Sequence, residues 1–247
     1  WAPYRFLNIY VRAAYAENLA YIFIPLIFLA IDEIFRSRRW GFFLLAFSTA
    51  GMLLSHNLIA AIFLPLSLCW TFWQLITRRN PSAFVVSTLA VITGFLMSSF
   101  IYFPDLFERQ FVKFDTSIVY FREHFVTVWQ LLRSPWGYGF DFPGVVNDEM
   151  SFQLGLGQIL ITTSFIFLLI YKQIVGKWRK TKNFLFDTTF FVITLFGSIV
   201  IMIENPIIRQ IWENLPGLKT IVDFPWRFLG VTNFAFAFIA AAFLSQV

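Results

Sequence analysis

The sequence predicts an all-α fold, a polytopic bundle of transmembrane helices, and three observations carry that prediction. Of the 247 residues, 58% are hydrophobic and 21% aromatic, while only 13% are charged; an ordinary soluble domain carries roughly 25% charged residues. Apolar runs of the length needed to cross a bilayer recur along the chain. Clusters of Arg and Lys fall between those runs, where they act as topology signals, and not along one soluble face. The net charge of +5 and the pI near 9.5 are therefore read as membrane orientation, with no nucleic-acid partner. The single cysteine, Cys69, excludes an intrachain disulfide and a multi-cysteine metal site.

The order of the elements follows from length and charge. Residues 41–76 would extend roughly 54 Å as one helix, nearly twice the hydrocarbon thickness. This run is flanked by Arg36, Arg38 and Arg39 before it and Arg78 and Arg79 after it. Both clusters face the cytoplasm by the positive-inside rule, so an even number of crossings separates them, and Ser55-His56-Asn57 becomes the tip of an outer hairpin. Seven crossings result: 17–35, 41–54, 58–77, 82–103, 156–171, 184–203 and 228–247. Ten of the 19 Lys and Arg residues lie in the three short cytoplasmic loops, and 11 of the 14 acidic residues lie outside. Residues 104–155 form an outer loop in which Ile118, Phe121, Phe125, Val128, Trp129 and Leu132 recur at helical spacing, predicting an interfacial amphipathic helix over 116–133. Residues 1–16 carry a similar pattern, with Tyr4, Leu7, Val11 and Ala14 opposite Arg5, Asn8 and Arg12. The segment SPWGYGFDFPG at 134–144 reads as a turn-rich loop. The chain begins at Trp1 and stops within an apolar run, and it reads as one membrane domain over 1–247, truncated at both ends.

Chemistry is expected on the outer face. The candidates there are Arg12 and Glu17 at the mouth of the first span, His56 and Asn57 at the hairpin tip, Glu204 at the end of the sixth span, and Asp223, Trp226 and Arg227 in VDFPWRFLG. Each has a plainer reading beside it: Asn57 as a helix cap, His56 as a solvated turn residue, Arg227 as a side chain snorkelling to the headgroups, Arg12 and Glu17 as members of structural ion pairs. Asp32, Glu33 and Asp187 read as solvated or paired. No GxxxxGK[ST], HExxH, GxSxG or Rossmann fingerprint is present, so soluble nucleotide and protease chemistry has no support. Guanidinium groups suit phosphate, aromatic rings suit sugar faces or isoprenoid, and a carboxylate can deprotonate a hydroxyl acceptor.

Four stretches in order, APYRFLNIYVRAAYAENLAYIFIPL, LLSHNLIAAIFLPL, SPWGYGFDFPG with SFQLGLGQ, and DFPWRFLG, resemble the bacterial and archaeal membrane proteins labelled 6-pyruvoyl-tetrahydropterin synthase-related. Those proteins look like GT-C glycosyltransferases, polytopic enzymes that use polyprenyl-phosphate-linked sugars on the extracytoplasmic side of the plasma membrane. The resemblance implies an integral membrane transferase acting on a lipid-linked sugar donor, with Glu17 and His56 as catalytic candidates. Arg12, Asn57, Trp226 and Arg227 are its candidates for substrate binding, and the outer-face reading adds Glu204 and Asp223 to them. The resemblance also implies that the main catalytic carboxylate precedes Trp1. No cofactor is required by the sequence, and a divalent cation is left open. The alternative is a transporter or flippase for lipid or polysaccharide, to which Pro25, Gly51, Pro65, Gly94 and Gly197 near mid-span would be suited, although no ionisable residue lies mid-span.

Overall fold

Helices occupy the apolar runs, and the breaks between them fall where the sequence supplies a cap, a proline or a left-handed residue. The computed structural model describes residues 2–111, 121–144, 148–175, 182–215, 218, 222 and 224–245. Four helical segments are long and apolar enough to cross a membrane, Tyr15–Phe35, Asn57–Arg78, Phe184–Met202 and Pro225–Leu244. Trp40–Ser55, Pro81–Met97 and Leu156–Lys172 are shorter apolar helices. The protein is thus an all-α membrane protein. The chain divides into two compact units, Ala14–Ile118 and the combination of Trp1–Ala13 with Val119–Val247.

The 14–118 unit contains α1 (Tyr15–Phe35), α2 (Trp40–Ser55), α3 (Asn57–Arg78), α4 (Pro81–Met97) and α5 (Ser99–Glu108). Within it, α2 packs against both α1 and α4. Its contact with α4 is made by small residues: Ala83, Ser87, Ala90 and Gly94 are buried on one face of α4, while Val85, Leu89, Ile92 and Leu96 are exposed. A Cβ on Gly94 would stand 2.5 Å from the Ala46 carbonyl oxygen and 2.6 Å from Thr49 Cβ. Only glycine lets these backbones approach so closely. Small interfacial residues are how membrane helices gain van der Waals contact when lipid removes the hydrophobic drive between them.

The ends of these helices are fixed by polar side chains. Asp32 accepts from Arg36 at 2.7 Å and from Arg78, and Glu33 pairs with Arg38 at 2.8 Å, so these two acidic residues are paired. Arg79, at φ 50°, ends α3 in the left-handed region, a position glycine usually takes. Asn80 caps α4 by accepting from the Ala83 N–H at 3.1 Å. The expected helix over 82–103 is interrupted at Ser98, whose hydroxyl donates to the Gly94 and Phe95 carbonyls.

The other unit is built from α6 (Pro3–Phe6), which the structure places at the N-terminus and which runs into a π-helical turn at Leu7–Val11, then α7 (Val128–Leu132), α8 (Leu156–Ile174), α9 (Lys182–Met202), α10 (Pro206–Asn214) and α11 (Leu229–Leu244). Helix α11 packs on α8 and α9. Gln158 donates to Asn233 Oδ1 at 2.9 Å, Ser198 and Thr232 share a hydroxyl hydrogen bond of 2.9 Å, and Phe191 stacks on Phe238 with centroids 3.6 Å apart. Helix α10, which the sequence pattern did not single out, buries Trp212, whose indole donates to the Ile201 carbonyl at 2.9 Å.

Two local expectations are corrected. The interfacial helix over 116–133 is not continuous: Phe121–Glu123 is a single 3₁₀ turn and α7 starts only at Val128, while 112–120 lie outside the described residues. Between them, Val126 bridges to Ile203, its N–H donating to the Met202 carbonyl at 2.8 Å while its carbonyl accepts from Glu204 at 3.1 Å. The apparent stripe mixes environments, since Phe125 is buried while Val128, Trp129 and Leu132 are exposed. The β-branched pair Val126-Thr127 favours this extended stretch, and Thr127 with Gln130 then forms a capping box. At the N-terminus, Asn8 was expected on the polar side and is fully buried.

Candidate functional site

Trp226 is the centre of a cluster within the second unit. It lies in a 3₁₀ turn, Pro225–Phe228, that leads into α11, and Pro225 pre-sets the backbone there. Its ring is 2% exposed. Cationic and aromatic groups surround it, Phe152 among them at 5.9 Å. The Arg12 guanidinium lies over the indole at 4.7 Å from the centroid, the Arg227 guanidinium lies 5.6 Å from it, and Phe224 stacks on it at 5.2 Å with 22° between planes. Tyr4 meets it edge-on at 6.4 Å. Both arginines therefore sit on an aromatic platform, a geometry favourable by cation–π attraction. Arg12 is further held by a charge-assisted hydrogen bond to Asn8 Oδ1, which accounts for the burial of Asn8.

The indole N–H of Trp226 is donated to Asp141 Oδ2, and the same oxygen lies 2.8 Å from Nδ1 of His124. With Asp141 ionised, His124 carries its proton on Nδ1 and donates it there, leaving Nε2 as the basic nitrogen. The side chains of both His124 and Asp141 are largely buried, at 10% and 8% exposure. Phe224 packs edge-on against the imidazole at 4.8 Å and fixes its plane. Asp148 completes the group. Gln130 donates to its Oδ2 at 2.6 Å and the Phe142 N–H to its Oδ1 at 3.2 Å. Burial, then the adjacent charge of Asp141 and a hydrogen bond to it, push the Asp148 carboxyl up to about 6, while the Phe142 and Gln130 donors oppose the shift. Gly137 lets the loop close around these residues, since a Cβ there would stand 2.7 Å from the Glu149 carbonyl oxygen.

Among the candidates drawn from the sequence, the structure brings together Arg12, Trp226 and Arg227. The other candidates have partners of their own. Glu17 is fully buried in the first turn of α1 and accepts from the Tyr21 hydroxyl at 3.1 Å. His56 is the N-cap of α3, its Nδ1 accepting from the Ile59 N–H at 3.3 Å. Asn57 Oδ1 accepts from the Tyr102 hydroxyl at 3.0 Å. Glu204 is paired with Arg209 at 2.7 Å beside a cavity of about 370 Å³. Asp223 lies outside the described residues. His124, Asp141 and Asp148 were missed by sequence reasoning, because irregular loops carry no periodicity. One signal was available: GYGFDFPG places an acidic residue between two phenylalanines, an apolar setting that an unpaired carboxylate avoids.

Among the described residues, no group of three or more His, Cys, Asp or Glu is arranged to hold a metal ion. Asp141 Oδ2 is shared by His124 and Trp226, and the two oxygens of Asp148 accept from Gln130 and the Phe142 N–H.

Comparisons with known proteins add a narrow result. No protein-family model matches the chain and no solved structure matches it. Over 106 residues, 41% of this chain, it is 29% identical to an "Uncharacterized protein" of Lactococcus lactis subsp. cremoris (strain MG1363), and the matched segment spans 17% of that relative's length.

Proposed function

We propose that this protein is a membrane glycosyltransferase of the GT-C type, moving a sugar from a polyprenyl-phosphate-linked donor to an acceptor hydroxyl on the extracytoplasmic side. The observation that carries the reading is the adjacency of two arginines, an aromatic platform and a His–Asp pair around Trp226. In this reading Arg12 and Arg227 bind the donor phosphate, for which guanidinium is the suited group. His124 takes the acceptor proton at Nε2, with Asp141 fixing the tautomer and balancing the imidazolium that forms. Trp226, buried between Arg12 and Phe224, positions the arginines for the donor, while its N–H holds Asp141 in place. Glu17, His56, Asn57 and Glu204 remain candidates for lining the acceptor path. The three shorter apolar helices with the four long ones make seven crossings in this proposal, with the arginine-rich ends of α1 and α3 at the cytoplasmic face. No step is routed through a metal.

A second reading is transport of a lipid-linked glycan without transfer. It draws on Pro25 and Pro65 inside α1 and α3, since proline removes a helical hydrogen bond and weakens the segment around it.

The test is an assay of the purified protein in vesicles with polyprenyl-phosphate donors carrying radiolabelled sugar. Transfer of label to a second molecule, lost in His124→Asn, is the expected result. Movement of intact donor between leaflets with no transfer would sink the transferase reading in favour of transport.

A further inference from the structure

A second site lies in the 14–118 unit, independent of the cluster around Trp226. A cavity of about 410 Å³ opens where the last turn of α1, the first turn of α2 and the start of α4 meet, within the range of roughly 300–1,000 Å³ typical of small-molecule sites. Its walls within the helices are apolar, formed by Ile34, Phe42, Phe43 and Val86. At the helix ends it is lined by Ser37, Arg38, Arg39, Asn80 and Ser82. The cavity is therefore greasy along its length and cationic at its mouth.

The charge at the mouth is only partly neutralised by the protein. Arg36 and Arg78 pair with Asp32, and Arg38 pairs with Glu33. Arg39 and Arg79 have no ion pair among the described residues, and the hydroxyls of Ser37 and Ser82 have no partner there either. Ser82 also stands in the first turn of α4, where Pro81 has no N–H and Asn80 takes the N–H groups of Ala83 and Phe84, which leaves the N–H of Ser82 for a ligand. An anion at this point meets a free guanidinium, a hydroxyl and a helix start together.

We infer that this cavity binds one acidic phospholipid, with its phosphate at Arg39 and Ser82 and an acyl chain along Ile34, Phe43 and Val86. Charge complementarity selects the headgroup: Arg39, the lining arginine without an ion pair among the described residues, attracts a lipid of net negative charge and gains less from one whose phosphate is balanced by choline. The apolar walls select a lipid over a soluble phosphate, since they would gain nothing from glycerol phosphate.

The protein, purified in detergent, is incubated with phosphatidylglycerol or phosphatidylcholine of the same acyl composition, and retained lipid is counted by mass spectrometry alongside the thermal midpoint. Phosphatidylglycerol should be retained several-fold over phosphatidylcholine and should raise the midpoint. Arg39→Gln, at an exposed residue with no ion pair, should lower retention about fivefold. Val86→Trp, which narrows the cleft, should lower it with every arginine in place. Equal retention of the two lipids, or an unchanged value in Arg39→Gln, overturns the site. Stabilisation by glycerol phosphate equal to that by phosphatidylglycerol overturns the lipid assignment and leaves a simple anion site.

Discussion

Trp226 donates its indole N–H to Asp141 across 85 positions of sequence, and Asp141 uses that same oxygen to hold His124. One carboxylate therefore joins the aromatic platform under the two arginines to the imidazole. Replacing Trp226 by Phe keeps the ring and removes the donor. The hydrogen bond to a charged group contributes about 1.5–3 kcal/mol, so Trp226→Phe should lose stability in that range, measured by denaturant unfolding. An unchanged midpoint would mean that Asp141 does not depend on the indole.

His124 and Asp141 should behave as a unit. His124→Asn and Asp141→Asn are each expected to lower turnover by about 10²–10⁴-fold, the range of a positioned general base, and the double variant should be little worse than either single one. Independent, additive losses would show that the two residues act separately.

The arginines should report on donor binding. Arg227→Ala is expected to weaken donor affinity roughly 10- to 150-fold, the equivalent of losing a charge-assisted hydrogen bond, and Arg227→Lys should recover only part because the planar fork is lost. Equilibrium binding of a lipid-linked sugar is the measurement. Unaltered affinity in Arg227→Ala would leave the side chain as a membrane-surface anchor.

Asp148 gives a pH dependence with a defined sign. Its folded pKa of about 6 lies above the ordinary aspartate value of 3.8, so the folded state binds the proton more tightly than the unfolded chain. From this group alone, stability is highest below the unfolded value and falls as pH rises from about 4 through 6, reaching a plateau by pH 7. Asp148→Asn mimics the neutral form and should remove that slope, becoming more stable than the parent at pH 7 and nearly equal to it at pH 4. Thermal midpoints across this pH range check it, and parallel curves for the two proteins would refute it.

His56 has a structural role that can be measured directly. As the N-cap of α3 it satisfies one orphan N–H. His56→Ala should cost about 1 kcal/mol, and His56→Asn, which retains an acceptor, should recover most of it. Turnover of His56→Asn then separates capping from chemistry, since only a catalytic ring would be missed once the cap is restored.

Apart from the break at Ser98 and the unforeseen α10, the helices were legible in the sequence to within a few residues because lipid leaves a chain little choice. Every backbone polar group must be satisfied within the segment, so an apolar run such as 58–77 has one outcome and appears as Asn57–Arg78. The turn at His56 was legible for the same reason. The loops were not. The spacing of Phe121, Phe125 and Val128 imitates a helix, but Val126 takes its hydrogen bonds from residues 202–204, and no pattern local to 116–133 reports that pairing. The candidate site was half visible: Arg12, Trp226 and Arg227 lie in motifs with evident chemistry, whereas His124 and Asp141 meet only after two loops have folded.

The close approach of α2 and α4 at Gly94 divides the surface of α4 into two mutational regimes. On the buried face, a Cβ at Gly94 already meets the Ala46 carbonyl oxygen, so any side chain there pushes two backbones apart. On the opposite face, Val85, Leu89, Ile92 and Leu96 are exposed, and one greasy side chain can replace another there without moving the helix. Random substitution should therefore drift freely on every lipid-facing position while the seam holds its small residues. A saturation library of α4, sorted for membrane expression, would print the helical repeat as alternating bands of tolerance and intolerance.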